Sequence, residues 1–155
     1  MIKAAHELRR SKVRFNNDDW PDRIYVDESQ YEKIHELYSR SSDIGKELPF
    51  KSLKEIVMAS AVLGFNAGKK GNIEKSKEII FTRYLDSTLD IPIAICIAIS
   101  DVGTVDIVAD KKRVIEIFQG YVKGGFDILY DAVNDGNDKI ESYAHYVLKN
   151  YTKEV

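Results

Sequence analysis

The sequence predicts a mainly α, compact multi-helix single domain with a short N-terminal β-strand and room for one further short strand. Apolar residues recur at i, i+3 and i+4 through much of the chain, and several of these segments follow an Asp or Ser suited to cap a helix. A chain of 155 residues, 44% hydrophobic and 31% charged, matches an ordinary globular domain able to bury its own core. We divide it into a basic N-terminal arm, residues 1–20, and one helical domain, residues 21–155.

The arm joins basic residues to the turn-prone run Asn16-Asn17-Asp18-Asp19, has helical character over residues 4–12 and is anchored at Trp20. Residues 23–26 form the short strand: Ile24 and Val26 share one face, and Tyr25 alternates away from them. Asp27, with Gln30 three residues on, fits a capping box for a helix whose apolar stripe is Tyr31, Ile34, Leu37 and Tyr38. The Ser, Gly and Pro of residues 39–49 mark a loop. Ser52 and Glu55 then open a helix that is small or apolar on most faces through Leu63, and Gly64 is expected to end it.

Residues 73–84 read as a charged amphipathic helix with Ile79, Ile80 and Tyr84 inward. Asp90 and Pro92 start the most hydrophobic helix, residues 90–100, and residues 105–108 are the candidate for the further strand. Asp110 caps a helix expected to run through Val122 and to stop at Gly124-Gly125. Helical segments over residues 126–133 and 139–151 complete the chain.

Composition narrows the chemistry. A formal charge of −2 gives no global attraction to nucleic acid, although local basic patches remain open to it. Cys96 is the single cysteine, so no intrachain disulfide forms and a cytoplasmic location is expected. It lies in the apolar run 91–99, far shorter than the roughly 20 residues a membrane span requires. The N-terminus lacks the long apolar stretch of a secretory signal. His6, His35 and His145 are far apart in sequence and are not read as metal ligands, and neither Ser60 nor Cys96 has a local base partner. Most of the nine tyrosines fall at helical core spacing.

The basic run Gly64-Phe65-Asn66-Ala67-Gly68-Lys69-Lys70-Gly71-Asn72 resembles a phosphate loop without meeting its requirements. Three residues separate Gly64 from Gly68, Lys70 stands where a hydroxyl must reach magnesium, and a helix precedes the run instead of a strand. Lys69 and Lys70 are therefore read as an exposed basic turn, joined by Lys51 and Lys54 if those share its side. Such lysines neutralise phosphates without reading sequence. Arg23 and Tyr25 suggest an alternative, a DNA-binding regulator whose β-α-α order pairs strands across a dimer as in ribbon-helix-helix proteins. A third reading, a metal-dependent nuclease, uses Asp101, Asp110 and Lys112 with residues 105–108 as the supporting strand. Capping accounts for Asp110 without that chemistry.

Two stretches carry a family resemblance. Phe50-Lys51-Ser52-Leu53-Lys54-Glu55-Ile56 with Ala59-Ser60-Ala61-Val62-Leu63-Gly64-Phe65-Asn66, and later Ile97-Ala98-Ile99-Ser100-Asp101 with Tyr121-Val122-Lys123-Gly124-Gly125-Phe126, resemble the DNA phosphorothioation-associated protein 4 family over about residues 21–133. The resemblance brings no catalytic residues, and the arm and the Tyr143 to Tyr151 tail have no counterpart in it. It implies a cytoplasmic, non-enzymatic accessory subunit of a bacterial DNA-modification or anti-phage defence system, without cofactor or metal. Its partners would be a larger protein of that system and, weakly, DNA, with a homodimer as a further state and no membrane.

Overall fold

The computed structural model describes residues 19–38 and 47–152; arm residues 1–18 and most of the 39–49 loop lie outside that set. The expected mainly α domain with an N-terminal strand is present. Strand β1, Arg23–Asp27, leads into helix α1, Glu28–Glu36; α2, Leu53–Asn66, follows, then strand β2, Ser76–Phe81. The remaining helices are α3, Asp90–Val102, α4, Lys111–Val133, and α5, Lys139–Tyr151. Single 3-10 turns at Thr82–Tyr84 and Val105–Ala109 precede α3 and α4.

Helix α4 is the axis of the fold. Its 23 residues bury Val114, Ile117, Phe118, Tyr121, Phe126 and Leu129 along one stripe, and each aromatic contributes about 2–3 kcal/mol of apolar transfer. Helix α2 lies against that stripe. Ile56, Val57, Ala61 and Leu63 supply its buried face, while Ser60, fully buried, satisfies its hydroxyl by donating to the Ile56 carbonyl at 2.7 Å. On α3, Ile91, Ala94, Ile97 and Ala98 face inward and Cys96 is exposed.

The α2–α4 contact corrects two expectations about glycine. Gly64 does not end α2; the helix continues to Asn66, and Gly68, at φ 64°, follows the stop. Nor do Gly124 and Gly125 end α4, which runs unbroken to Val133. These glycines let backbones touch. A Cβ on Gly125 would stand 1.8 Å from the Ser60 carbonyl oxygen, and one on Gly64 would stand 2.2 Å from that of Tyr121. Helix propensity disfavours glycine by about 1 kcal/mol, but the packing term outweighs it.

Within residues 73–84, where the periodicity suggested a helix, residues 76–81 form a strand and residues 82–84 a 3-10 turn. β2 pairs antiparallel with β1, Ile24 opposite Ile80 and Val26 opposite Lys77, with an irregularity between Ile24 and Tyr25. Ile79, Ile80 and Phe81 suit a pleated surface, and β1 would otherwise leave backbone donors and acceptors unpaired. Tertiary pairing therefore overrides the local pattern. The expected strand at 105–108 is instead the 3-10 turn that leads into α4, so the second strand exists but at a different place.

The glycine contact makes a prediction. Gly125→Ala should lower unfolding free energy by about 3 kcal/mol or more in urea titration, because the new methyl meets backbone that cannot move alone. Gly120→Ala, whose Cβ would meet the flexible Lys70 side chain at 3.1 Å and the Gly71 carbonyl oxygen at 3.2 Å, needs shifts of only a few tenths of an ångström and should cost clearly less than Gly125→Ala.

Candidate functional site

The basic turn after α2 is a docked element. Lys69 N–H donates to the Gly64 carbonyl at 2.8 Å, and Gly71 N–H donates to the Gly120 carbonyl on α4 at 2.9 Å. A Cβ on Gly124 would lie 2.0 Å from the Lys69 carbonyl oxygen, so the loop occupies the space that a side chain would fill.

That seating divides the two lysines. Lys70 points to Asp101 at the end of α3, with Nζ to Oδ2 at 3.0 Å, and the Tyr121 hydroxyl donates to the other carboxylate oxygen at 2.7 Å. Burial opposes the charge on Asp101, but the hydrogen bonds from Tyr121 and Lys70 outweigh it and hold the carboxyl below its ordinary value. The same bond pushes the Tyr121 phenol up to about 12. Lys69 is exposed and has no ion pair among the described residues.

Lys51 and Lys54 stand at the opposite end of α2. The helical residues 55–66 lie between Lys54 and the turn, about 18 Å along the axis, so the two pairs do not make one patch. Lys54 pairs with the buried carboxylate of Asp90 at 3.0 Å, and Lys51, exposed, gives its backbone N–H to Glu55 at 2.8 Å. Arg23 pairs with Glu78 across the sheet and covers the Phe81 ring. Tyr25 is 38% exposed, and its N–H donates to Gln119 of α4 at 2.7 Å. β1 thus takes its sheet partner from its own chain.

The nuclease residues are engaged elsewhere. Asp101 is held by Lys70 and Tyr121; Asp110 accepts from Arg113 N–H at 3.0 Å as the cap of α4; and Lys112 is an exposed neighbour of Glu116. Among the described residues no group of acidic, His or Cys side chains is arranged to hold a metal ion.

Asp27 has a larger role than a cap. One carboxylate oxygen accepts from Ser29 N–H at 3.0 Å and Ser29 Oγ at 2.6 Å and faces Lys123 of α4 at 3.4 Å; the other accepts from Glu74 N–H at 2.9 Å. The Ser29 hydroxyl, with the Glu74 and Ser29 amides and Lys123, drives its pKa far down against the opposing effect of burial. Gln30, expected to complete a capping box, reaches instead to the Lys123 carbonyl at 3.0 Å.

Helix α5 carries a surface that sequence reading missed. Ile140, Ala144, Leu148 and Tyr151 are all exposed on this helix, spaced four, four and three residues apart and so on one face. Ile140, Leu148 and Tyr151 are 42%, 59% and 45% exposed. Isolated apolar residues are common on surfaces, whereas a stripe along one helix face marks contact. The i, i+4 pattern was available as a signal, but on a terminal helix it reads equally as a core face.

A family model for DNA sulphur modification system-associated protein 4 matches residues 23–154, nearly the whole described structure. The chain belongs to that family. The match extends beyond the resemblance seen in the sequence and takes in α5, so the Tyr143 to Tyr151 tail is part of the family's domain. No curated protein and no solved structure matches the chain. In this DNA sulphur modification system-associated protein 4 chain no described helix is long and apolar enough to cross a membrane.

The hydrogen-bonded carboxylates predict a pH dependence. Asp27 and Asp101 have folded pKa values below the unfolded value of about 3.9, so their stabilisation is complete well above that value and is lost as pH falls through it. Unfolding free energy should decline below about pH 5, and Asp27→Asn should flatten that decline while costing about 2 kcal/mol at pH 7.

Proposed function

We propose that this chain is a non-enzymatic, cytoplasmic accessory subunit of a DNA sulphur modification system, and that it docks on a larger protein of that system through the exposed face of α5. The observation that carries the reading is the stripe Ile140, Ala144, Leu148 and Tyr151, which lies inside the region shared with a family defined by association with such a system. An apolar helix face of this kind seats in a groove through anchors at i, i+4 and i+8. DNA contact is secondary. Lys51 and Lys69 are exposed and would add weak, sequence-independent attraction to phosphates, while Lys54 and Lys70 are committed to Asp90 and Asp101.

Co-expression with the other proteins of the system tests the docking. The wild-type chain should co-purify with a larger partner, and Ile140→Glu with Leu148→Glu should abolish recovery with only a small change in the thermal midpoint, since the two side chains are 42% and 59% exposed. Co-purification that survives the double change would refute the α5 surface. A homodimer dissolved by Leu148→Glu would replace the proposed partner with a second copy of the chain.

A further inference from the structure

A cleft of about 260 Å³ opens at the end of the two-stranded sheet, lined by Trp20, Asp22, Arg23, Phe81, Thr82 and Arg83 among others. Two buried polar groups belong to residues of this lining. Trp20 and Thr82 are 7% and 6% exposed, yet Trp20 Nε1 and Thr82 Oγ1, like Gln30 Oε1 elsewhere in the chain, have no hydrogen-bond partner among the described residues. A buried donor without a partner costs about 1–3 kcal/mol, so two in one cleft indicate a group that completes them.

The surrounding charge indicates which group. Two guanidinium groups flank the Phe81 ring, Arg23 at 4.9 Å and Arg83 at 4.4 Å from its centroid. Arg23 is neutralised by Glu78, but Arg83 is exposed and has no ion pair among the described residues; it also lies 5.4 Å from the Tyr84 ring. Asp22 is the one carboxylate in the lining; it is exposed, and its backbone carbonyl takes the Thr82 N–H at 2.9 Å. An indole N–H, a hydroxyl and an uncompensated guanidinium together suit an oxyanion. Beside them Tyr84, 57% exposed, offers a ring face next to the Arg83 plane. Oxyanion donors beside an aromatic face and a stacked guanidinium are the parts with which proteins hold a single nucleic-acid strand: the phosphate goes to the donors and the base to the ring.

We propose that this cleft binds one phosphate of a single-stranded DNA segment, with Trp20, Thr82 and Arg83 around the phosphate and Tyr84 stacking on the adjoining base. The assignment rests on the DNA-linked reading above but uses a surface separate from α5. It places the main DNA contact at Arg83, with Lys51 and Lys69 adding only weak, sequence-independent attraction.

Trp20 is the chain's single tryptophan, so its fluorescence reports on this cleft alone. Titrating the full chain with a short single-stranded oligonucleotide should shift Trp20 emission saturably, with a weaker response to the same sequence as a duplex and least to inorganic phosphate. Thr82→Val removes an unpartnered hydroxyl at constant shape and should leave the thermal midpoint unchanged or raised, while Arg83→Gln and Tyr84→Ala alter exposed side chains. Each should weaken the oligonucleotide about tenfold, and Lys69→Ala should do so far less.

A saturable Trp20 response indifferent to Thr82→Val and Arg83→Gln, or DNA binding that leaves Trp20 emission unmoved, would overturn the proposal. An equal response to inorganic phosphate and oligonucleotide would reduce the cleft to a free-anion site and overturn the DNA assignment. Arg83→Gln that spares DNA but loses the co-purified protein would mean the cleft receives a partner's carboxylate. The α5 double variant separates the two readings: it should lose the protein partner and keep the Trp20 response.

Discussion

The contact on which the rest of this structure depends is the close approach of α2 to α4 at Gly64 and Gly125. With no Cβ on either residue, backbone meets backbone, and the chain leaving α2 emerges directly over α4. Residues 69–71 then hydrogen-bond to Gly64 and Gly120, Lys70 meets Asp101, and Tyr121 closes the group from below. A larger residue at the crossing would lift the loop, unpair Asp101 and expose the seam. The basic turn is thus held by sterics first and by charge second.

A second junction, beside the first along α4, works by charge. Asp27 collects donors from the α1 N-terminus, from the segment before β2 and from Lys123, and so fixes how the small sheet sits on the helix. Buried carboxylates are costly unless fully hydrogen-bonded, and this one accepts at both oxygens. With both junctions on one helix, α4 sets the positions of the sheet-end cleft and, through the short 134–138 turn, of the α5 face.

Much of this was legible in the sequence, and the misses have physical causes. The helices at 28–36, 53–66, 90–102 and 139–151, the start of the helix at 111, and the strand at 23–27 follow from periodicity and from caps at Asp27, Ser52 and Asp110, each of which accepts a backbone amide bond in the first turn. Gly64, Gly124 and Gly125 misled because local rules treat glycine as a stop, whereas here their spacing encodes a contact between segments sixty residues apart. The 76–81 strand was hidden because its Lys and Glu content suits a helix, and only pairing with β1 decides between the two. At the surface, Lys69 and Lys70 were visible as charge, but nothing local shows that Lys70 has a partner in Asp101. Arg83, Thr82 and the α5 stripe went unnoticed because each matters only through what surrounds it, or what fails to surround it, in the folded chain.

Native-state hydrogen exchange tests the central claim most directly. If the glycine contact makes the turn part of the helix pair, the Lys69 and Gly71 amides, bonded to Gly64 and Gly120, should exchange as slowly as the α2 and α4 amides beside the crossing and respond to urea with the same slope. Exchange of these two amides at the rate of an open loop, while the helix amides stay protected, would contradict the account.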